Sequence, residues 1–419
     1  MNTPIRSTAS ESASGLNRRQ FLASAGATAL SLSVLQPAMA AGAASPDKIK
    51  LGLIGCGGRG SWIANLFQKQ GGYDLVAVAD YFPDRTAAVG QKLGIPESRQ
   101  YTGLSGYRRL LEQPGLEAVA IESPPYFHPE QAAMAVAAGK HVYVAKPVAV
   151  DVPGCQTIAQ SGERARDRKL CFLVDFQTRA DSFYIEAIRR LHQGDLGQLV
   201  FGEAIYHAEC PFRSKYKYLE TDPANPENRL RAWGLDRVLS GDIIVEQNIH
   251  TLDVMSWIMD QAPEYAVGTG GRKVRKFGDC CDYFALLFQY PNQVGITFSS
   301  RQIVGHGTQP DGIRNRMFGS QGVLETAYGG QVMIRGEKFF DGGRSPGIYQ
   351  EGAVANIAAF HRSIREGDCQ NLTVAPSVRS NLVSILGRTA AYQPGQVVTW
   401  DDLLRRNEKL EFDVRGMKG

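Results

Sequence analysis

The amino-acid sequence predicts an α/β fold in which a doubly wound parallel sheet comes first and an α+β domain with a large, open, mostly antiparallel sheet follows. Three observations predict it: an apolar run from Ile49 to Ile54 that enters a glycine-rich turn, alternating strand-like and helix-like segments as far as residue 150, and β-branched and aromatic runs after residue 198. A chain of 419 residues is too long for one ordinary core. We therefore expect a leader over residues 1–40 and domains over residues 47–170 and 171–419.

The glycine-rich turn has the spacing G-x-G-x-x-G and consists of Gly55, Cys56, Gly57, Gly58, Arg59 and Gly60. A strand precedes it and a helix over Ser61–Gln70 follows, so the turn can bring a pyrophosphate to a helix N-terminus. A second strand, Leu75–Ala79, ends at Asp80, whose carboxylate is placed to accept a ribose hydroxyl. This order predicts a dinucleotide site of the Rossmann type. The alternative is the same fold with a crevice that serves another purpose.

The nature of the dinucleotide depends on two side chains. Asp80 favours NAD over NADP, because a carboxylate repels a 2′-phosphate. Arg85 lies close enough in sequence to weaken that preference, so NADP stays an alternative.

The first 40 residues have the features of an export signal. Asn17-Arg18-Arg19-Gln20-Phe21-Leu22 is a twin-arginine pattern, and Ala38-Met39-Ala40 is a cleavage signature. The apolar run between them is too short and too rich in Ser, Ala and Thr to span a membrane. We expect cleavage after Ala40 and a periplasmic or otherwise exported protein with no membrane insertion. The alternative is an unstructured N-terminus whose arginine pair arose by chance.

Charge and cysteine content argue against several classes of function. The formal net charge is +4, and it falls to +2 without the leader, which carries three arginines and one glutamate. No block of like charge stands out, so we expect neither nucleic acid nor a membrane surface as a partner. The seven cysteines lack the spacing of a metal site, and we expect no metal. Sequence alone cannot assign a disulfide, and the adjacent Cys280 and Cys281 are poorly placed to pair with each other.

The alternation continues after the second strand. The pattern predicts helices over Pro83–Lys92, from Tyr107 and over Pro129–Ala138, and strands over Ala118–Ile121 and His141–Val144. Lys146 follows the last of these strands. Because ligands bind at the carboxyl ends of strands in open parallel sheets, Lys146 is the first catalytic candidate.

Several short motifs together resemble the glucose-fructose oxidoreductase and inositol dehydrogenase family, written Gfo/Idh/MocA. They extend over nearly all of the chain after the leader: the glycine turn, Ser123-Pro-Pro-Tyr-Phe-His128, Ala138-Gly-Lys-His-Val142, Lys146-Pro147, Gln177-Thr-Arg179, Gly194-Asp-Leu-Gly197, Glu246 to Asp253 and Trp400-Asp-Asp402. The resemblance implies that an NAD(P) cofactor contacts Gly55, Cys56, Gly57, Gly58, Arg59, Gly60, Asp80, Ser123, His128 and Lys146.

The resemblance also implies a role for Lys146. In similar proteins the lysine polarises or deprotonates the reacting hydroxyl and contacts the cofactor ribose. Their usual motif is Glu-Lys-Pro, but Ala145 stands here in place of the glutamate. The lysine is kept, while the residue that would position it is missing.

A second candidate site runs from Glu246 to Asp253. If this segment is helical, spacing by four residues places Glu246 and His250 on one face, with Asp253 one turn further on, where it could support His250. A carboxylate beside a histidine can orient the ring and hold a proton in transit. Similar proteins commonly have Asp where Glu246 stands. The alternative is that His250 and Asp253 only form a hydrogen-bonded pair within the helix.

These residues predict a reaction. His250 or Lys146 removes a hydroxyl proton while hydride passes to the nicotinamide ring, which converts a sugar or polyol hydroxyl to a ketone or lactone. Six further residues are candidates for binding a hydroxylated substrate, although Tyr206, His207 and Trp233 could equally be packing residues. They are Gln177, Arg179, Tyr206, His207, Arg213 and Trp233.

The second half is mixed α/β. Strand-like runs occupy Leu199–Tyr206, Glu264–Thr269, Cys281–Gln289, Val294–Ser300 and Gly322–Thr326. A short turn over residues 290–293 predicts an antiparallel hairpin. We expect the closing helices, Glu351–Glu366 and Pro376–Tyr392, to return to the first domain. The resemblance implies that the open face of the sheet contacts a second subunit in a homo-oligomer.

Export limits the choice of mechanism. Free NAD is scarce outside the cytoplasm, so we expect a tightly held cofactor that is regenerated in place. Our first hypothesis is an NAD(P)-dependent oxidoreductase for a sugar, polyol or glycoside. The second is an NAD-dependent glycosidase that oxidises, eliminates, hydrates and reduces. The third is a non-catalytic sugar-binding protein, which the missing glutamate before Lys146 favours.

Overall fold

In the computed structural model, which describes residues 48–307 and 312–419, the first sheet contains six parallel strands in the order β3-β2-β1-β4-β5-β6. Its strands are β1 Ile49–Ile54, β2 Tyr73–Asp80, β3 Gln100–Thr102, β4 Ala118–Ile121, β5 His141–Ala145 and β6 Phe172–Asp175. This is the predicted doubly wound sheet. Because β6 pairs with β5, the sheet extends to Asp175, five residues beyond the predicted domain boundary. The predicted leader lies outside the described residues.

The helices of this half alternate with the strands. They are α1 Gly58–Gln70, α2 Pro83–Leu93, α3 Gly106–Leu111, α4 His128–Ala137 and α5 Val152–Asp167. Helix α1 begins three residues before its predicted start, because the chain turns helical inside the glycine motif itself. Helix α5 was not predicted, although the Asp151 side chain accepts a hydrogen bond from the Gly154 N–H and marks its N-terminus.

The second sheet has nine strands in the order β14-β13-β12-β11-β7-β10-β9-β8-β15. Its strands are β7 Leu199–Ala208, β8 Tyr265–Gly271, β9 Tyr283–Tyr290, β10 Val294–Gln302, β11 Ile313–Gly319, β12 Gly322–Ala327, β13 Gln331–Gly336, β14 Phe340–Arg344 and β15 Val398–Thr399. Only the central β7 and β10 pair in parallel, so the predicted mostly antiparallel sheet is confirmed. The predicted hairpin is the antiparallel pair β9 and β10.

Helices cover one face of the second sheet. The helices of this half are α6 Ser182–His192, α7 Tyr216–Thr221, α8 Pro226–Arg231, α9 Arg237–Ser240, α10 Ile243–Glu246, α11 Ile249–Met259, α12 Ile348–Glu366, α13 Val374–Ala391 and α14 Trp400–Arg406. Leu252 of α11 and Leu386 of α13 share a core with Tyr206 and Phe288 of the sheet. Alternate residues of β7, such as His207, face away from this core.

Within the described ranges, none of the helices combines the length and hydropathy that a bilayer crossing requires.

Two closing helices return to the first sheet, as expected. Ile357 and Phe360 of α12 pack with Ile63 and Phe67 of α1. In α13, the Asn381 side chain accepts a hydrogen bond from the Val148 N–H and donates one to the Ala149 carbonyl. The segment that follows β5 is therefore fixed by a helix from the other half of the chain.

Residues 407–419 form a tail that runs along the carboxyl edge of the first sheet, from the residues after β5 to the residues after β2. The Leu410 N–H donates to Asp151 across 2.9 Å, and Phe412 packs with Phe82 and Leu230. Farther along, the Lys418 N–H donates to the Tyr81 hydroxyl across 3.1 Å. The tail thereby reaches the segment directly after β2.

Candidate active site

A cavity of about 560 Å³ lies where the carboxyl edge of the first sheet meets the residues that follow β7 and precede α11. This volume is typical of small-molecule sites. Twelve predicted site residues line it: Gly55, Gly57, Gly58, Arg59, Asp80, Ser123, His128, Lys146, Tyr206, Trp233, Glu246 and His250. Residues predicted from separate motifs therefore meet in one cavity.

The glycine turn forms an open cradle at the N-terminus of α1. Gly55 has a φ of +96°, and a Cβ on Gly60 would lie 1.8 Å from the Gly55 oxygen, so neither position accepts a side chain. Nothing lies within 4 Å of a Cβ placed on Gly58, where the surface is open. No side chain caps the N-terminus of α1, so its free N–H groups can bind phosphate. The residues present fit the pyrophosphate of NAD.

Cys56 and Asp80 connect this cradle to β2. Cys56 is buried beneath the turn and does not line the cavity; its N–H donates to the Asp80 carboxylate across 2.8 Å. Asp80 also accepts from the Phe82 N–H across 2.9 Å and keeps a position on the cavity wall. Burial raises the pKa of Asp80. Arg85 lines the same wall, so both groups that bear on the choice between NAD and NADP are present.

His128 braces the loop after β4. One ring nitrogen lies 2.7 Å from the Ser123 carbonyl oxygen and the other 2.9 Å from that of Pro147. Burial lowers the pKa of His128 to about 4. Ser123 donates its hydroxyl hydrogen bond to Gln131 across 2.6 Å. His128 thus links the loop after β4 to Pro147, the residue that follows Lys146.

Lys146 has a carboxylate partner despite the alanine before it. Its amine donates to the Glu246 carbonyl oxygen across 2.7 Å and lies 3.6 Å from the Glu246 carboxylate. Both side chains are buried, at 7% exposure each. Burial lowers the pKa of Lys146, a direction that makes the amine a better proton donor.

Glu246 and His250 lie on two separate helices rather than on one helical face. Helix α10 ends at Glu246 and α11 begins at Ile249, so the predicted continuous helix is wrong. Both side chains still line the cavity. The Gln247 amide in the break donates to the Glu246 carboxylate across 2.5 Å and accepts from the Tyr206 hydroxyl across 2.9 Å.

His250 is a buried, neutral imidazole. Burial, together with the positive charges of Lys146 and Arg59, holds its pKa well below the ordinary value. Its Nδ1 makes no hydrogen bond within the described part of the chain, and its ring centre lies 5.2 Å from that of Tyr328. The imidazole is therefore free to accept a proton from a bound molecule.

The expected support of His250 by Asp253 is wrong. Asp253 is fully buried, and Arg179 donates to both of its oxygens across 2.8–3.0 Å. Ser380 donates to the same carboxylate across 2.7 Å. Asp253 and Arg179 thus join α11 to its neighbours and do not line the cavity.

Three further predicted substrate contacts lie elsewhere. Gln177 is fully buried, and its amide donates to Asp175 across 3.2 Å. His207 faces the open side of the second sheet, with a ring nitrogen 3.0 Å from the Ser299 hydroxyl oxygen. Arg213 is exposed and absent from the cavity wall. Each of these three side chains is polar and could bind a sugar, but the direction of its strand or loop points it away from the cavity.

Arg59 of the glycine turn reaches two acidic side chains at strand ends. Its guanidinium lies 2.9 Å from the Glu122 carboxylate and also pairs with Asp175. It lies beside the rings of Trp62 and Tyr349, at 5.6 Å and 5.8 Å from their centroids, and these two rings stack on each other. Arg59 is therefore part of a buried ionic network as well as of the cradle.

Sequence reasoning missed several residues of the cavity wall: Glu122, Gln247, Ile313, Tyr328 and Tyr349. Glu122 directly follows β4, and the rule that selected Lys146 after β5 would have found it. Tyr328 and Tyr349 come from distant segments and carry no local signal. Within residues 48–307 and 312–419, no group of His, Cys, Asp and Glu has the geometry of a metal site.

Two family models match the chain. The model described as "Oxidoreductase family, NAD-binding Rossmann fold" matches residues 49–176, and the model described as "GFO/IDH/MocA C-terminal domain" matches residues 184–325. Together they account for more than half of the sequence. The first contains the cradle and Lys146, and the second contains Glu246 and His250.

Individual relatives are distant. The chain is 28% identical over 221 residues to a glycosyl hydrolase family 109 protein of Shewanella pealeana, and it spans only about half the length of that relative, 48% of each chain being matched. It is 25% identical over 286 residues to an inositol 2-dehydrogenase of Acidothermus cellulolyticus, which covers 68% of this chain and 74% of the relative. The solved aldose-aldose oxidoreductase from Caulobacter crescentus has the same fold, with a TM-score of 0.66 at 19% identity over 84% of this chain and 99% of that chain.

Proposed function

The chain belongs to the Gfo/Idh/MocA family, and on that premise we propose that it is an NAD-dependent oxidoreductase acting on a hydroxyl-bearing carbon of a sugar, polyol or glycoside. One observation carries the proposal: the glycine cradle, the Lys146–Glu246 pair and the neutral His250 line a single cavity. A dinucleotide site and two proton-handling groups in one enclosed space are what alcohol oxidation requires.

The chain's own residues supply positioning and proton handling. Gly55, Gly57 and the N-terminus of α1 would hold the pyrophosphate, and Asp80 would accept from the adenosine ribose. When bound, NAD supplies the hydride acceptor. Asp80 supports NAD as the preferred dinucleotide, because its carboxylate stands where a 2′-phosphate would lie.

Lys146 and His250 are the candidates for removing the hydroxyl proton. Lys146 is buried with a lowered pKa, and its amine is fixed by Glu246. His250 is neutral and lines the cavity, and its buried Nδ1 makes no hydrogen bond within the described residues. Either group can take a proton without an incoming water molecule, which suits a buried site.

The substrate end of the cavity favours a neutral, hydroxyl-rich molecule. Tyr206, Gln247 and Tyr328 offer hydroxyl and amide groups and two aromatic rings there, whereas Trp233 packs in the cluster of Phe82 and Leu230. Such a mixture of hydrogen-bonding groups and an aromatic surface matches a sugar or polyol. The Acidothermus relative, named an inositol 2-dehydrogenase, supports a cyclic polyol or a pyranose.

A glycosidase that uses NAD without net redox change is the second candidate. Several relatives carry the name glycosyl hydrolase family 109 protein. The site also offers two separate proton-handling groups, Lys146 and His250, where transient oxidation and elimination would need a base and an acid. The third hypothesis, a non-catalytic sugar-binding protein, loses its main support, because Glu246 gives Lys146 the carboxylate that Ala145 lacks.

Localisation and assembly complete the proposal. The twin-arginine pattern supports export as a folded protein, and a cofactor carried out in this way would be recycled in place.

We also infer that the open face of the second sheet binds a second copy of the chain. Phe201 and Phe318 stack there with ring centres 4.4 Å apart, and Phe201 is 50% exposed.

The test is nucleotide extraction from the purified full-length protein, followed by addition of a panel of aldoses, inositols and aryl glycosides. We expect bound NAD and a rise in NADH absorbance with at least one sugar or polyol. Release of an aryl group without net NADH would favour the glycosidase. A protein that binds no nucleotide and turns over neither class would contradict both enzymatic functions.

A further inference from the structure

Glu122 is a buried acid on the cavity wall with no role in the chemistry described so far. It follows β4 directly, beside the turn that follows β1, and a Cβ on Gly55 would lie 2.7 Å from its carbonyl oxygen. Its side chain has no exposed surface. One carboxylate oxygen pairs with Arg59, and the other makes no hydrogen bond within the described residues. A buried carboxylate oxygen that is left open can accept a proton.

The groups around Glu122 come from several elements. They are Arg59 on α1, His128 on α4, Tyr143 on β5, Lys146 after β5, Asp175 at the end of β6, Glu246 on α10, His250 on α11 and Tyr349 on α12. Two of these groups are cations, Arg59 and Lys146, because His128 and His250 are neutral. With Glu122 ionised the cluster holds three carboxylates against two cations, so one negative charge is left over. With Glu122 protonated the charges balance.

The oxidised nicotinamide ring is positive and the reduced ring is neutral. An ionised Glu122 therefore balances the cavity when NAD⁺ is bound, and a protonated Glu122 balances it after reduction. A positive charge within about 4–6 Å lowers a carboxyl pKa by roughly 1–3 units, and its loss reverses the effect. Reduction of the cofactor should thus draw a proton onto Glu122.

We propose that Glu122 stores the substrate proton inside the protein while the cofactor is reduced. This inference rests on the proposed function and adds a residue to it. In oxidation the substrate C–H bond gives its hydride to the nicotinamide, and the hydroxyl proton passes through Lys146 or His250 to the open oxygen of Glu122. In the reverse half-reaction both return to a carbonyl acceptor. Hydride and proton then stay together, and the cycle exchanges no proton with solvent.

The ionisation of Glu122 agrees with this geometry. Burial raises its pKa to about 7, and the nearby Asp175 adds to the rise, while Arg59 and Lys146 oppose it. The group therefore titrates in the range where loss of one neighbouring positive charge changes its protonation.

The experiment measures proton uptake on reduction without any sugar. Full-length protein with bound cofactor is equilibrated with a redox mediator at a fixed electrode potential, and the ratio of bound NADH to NAD⁺ is read from absorbance. Reduction of NAD⁺ alone takes up one proton, so the ratio falls about tenfold for each pH unit. If Glu122 takes up a second proton, the ratio of bound NADH to NAD⁺ should fall about a hundredfold per pH unit between roughly pH 5.5 and 7. Above pH 8 the ratio should fall about tenfold per pH unit.

Two variants assign the second proton. We expect E122Q to show about a tenfold change per pH unit throughout, because an amide does not titrate. We expect E163Q, which removes an exposed carboxylate on α5 outside this cluster, to keep the hundredfold change. A hundredfold change that persists in E122Q would place the proton elsewhere and overturn the proposal, as would a tenfold change in the wild type.

A second measurement covers the case in which E122Q does not fold. The reduced-minus-oxidised infrared difference spectrum of the wild type should contain a new carboxylic-acid carbonyl band, and its absence would overturn the proposal. A protein that carries cofactor but shows only the tenfold change contradicts this inference alone. A protein that binds no nucleotide contradicts the proposed function as well.

Discussion

Lys146 donates a hydrogen bond to the main-chain carbonyl oxygen of Glu246 across 2.7 Å, although the two residues are 100 positions apart. A carbonyl oxygen accepts from an amine in either charge state, so the bond holds Lys146 in place before and after it gives up a proton. The Glu246 carboxylate, 3.6 Å away, stabilises the charged form of the lysine, while the main-chain carbonyl fixes the position of its amine.

The first prediction concerns this lysine. Replacing Lys146 with Met keeps most of the side-chain volume and removes the amine, so we expect sugar-dependent reduction of bound NAD to slow by about 10²- to 10⁴-fold. Nucleotide content is measured in the same samples, so that loss of cofactor is separated from loss of chemistry. Stopped-flow absorbance measures the rate, and K92M, an exposed lysine on α2, is the matched control. A K146M rate close to that of K92M would remove Lys146 from the mechanism.

The second prediction concerns the stability contributed by His250. Its pKa is lowered in the folded protein, so below pH 6.5 the unfolded chain binds a proton that the folded chain does not. The free energy of unfolding of the wild type should therefore fall relative to H250Q by up to about 1.4 kcal/mol for each pH unit below 6.5. Urea unfolding at pH 5.5, 6.5 and 7.5 measures the difference. The control is H306Q, at an exposed histidine. The difference in unfolding free energy between the wild type and H306Q should not change over these three pH values.

The third prediction concerns retention of the cofactor. Phe412 is 5% exposed and packs with Phe82 and Leu230 beside the adenosine end of the cavity. Phe412→Ala removes buried apolar contacts worth about 3–5 kcal/mol in a core, and even a third of that would raise the nucleotide dissociation rate about tenfold. Residual nucleotide after repeated gel filtration measures the loss. F339A, at a 62% exposed phenylalanine, is the control and should retain its nucleotide.

The fourth prediction concerns a pair of thiols. The sulfur atoms of Cys171 and Cys369 lie 3.4 Å apart, and Asn371 holds the two segments together by accepting from the Phe172 N–H. Cys369 is partly exposed and can react with oxidised glutathione, and the adjacent Cys171 thiol can then displace the glutathione to form a disulfide. The other five cysteines are buried and should stay reduced. Mass spectrometry of alkylated peptides identifies the pair. A different pairing, or no loss of thiols, would contradict this prediction.

The fifth prediction concerns assembly. Phe201→Asp places a charge on the stacked pair with Phe318 at the open face of the second sheet, so we expect the oligomer to dissociate. Analytical ultracentrifugation measures the change in mass. Val274→Asp, at an exposed apolar residue outside this pair, is the control. A wild type that sediments as a monomer would exclude this interface.

The sequence predicted β1, β2, β4 and β5 of the first sheet, because each of these strands carries a local signal, and it missed the short strands β3 and β6 and helix α5. The apolar run before the glycine turn, the strand ending at Asp80 and the position of Lys146 after β5 all follow from patterns within about ten residues. Strand β11 escaped notice because Arg314 and Arg316 interrupt its apolar pattern. Both face the open side of the sheet, where Arg316 pairs with Glu203.

The candidate site was predicted less completely, for a physical reason. The spacing of Glu246, His250 and Asp253 suggested one helix, but the chain breaks at Gln247 and Asn248, and Asp253 turns to Arg179 from a segment 74 residues earlier. Contacts of this kind depend on how helices pack, and no local pattern encodes them. The same holds for Tyr328 and Tyr349, which approach the cavity from the second half.

The tail over residues 407–419 also bears on how the protein matures. The Lys418 N–H bonds to the hydroxyl of Tyr81, a residue made 337 positions earlier, near the cradle. During synthesis the ribosome therefore completes the cradle long before the segment that covers its adenosine end. A nucleotide that enters the nascent chain can leave again until the tail docks, so secure loading is one of the last steps of maturation.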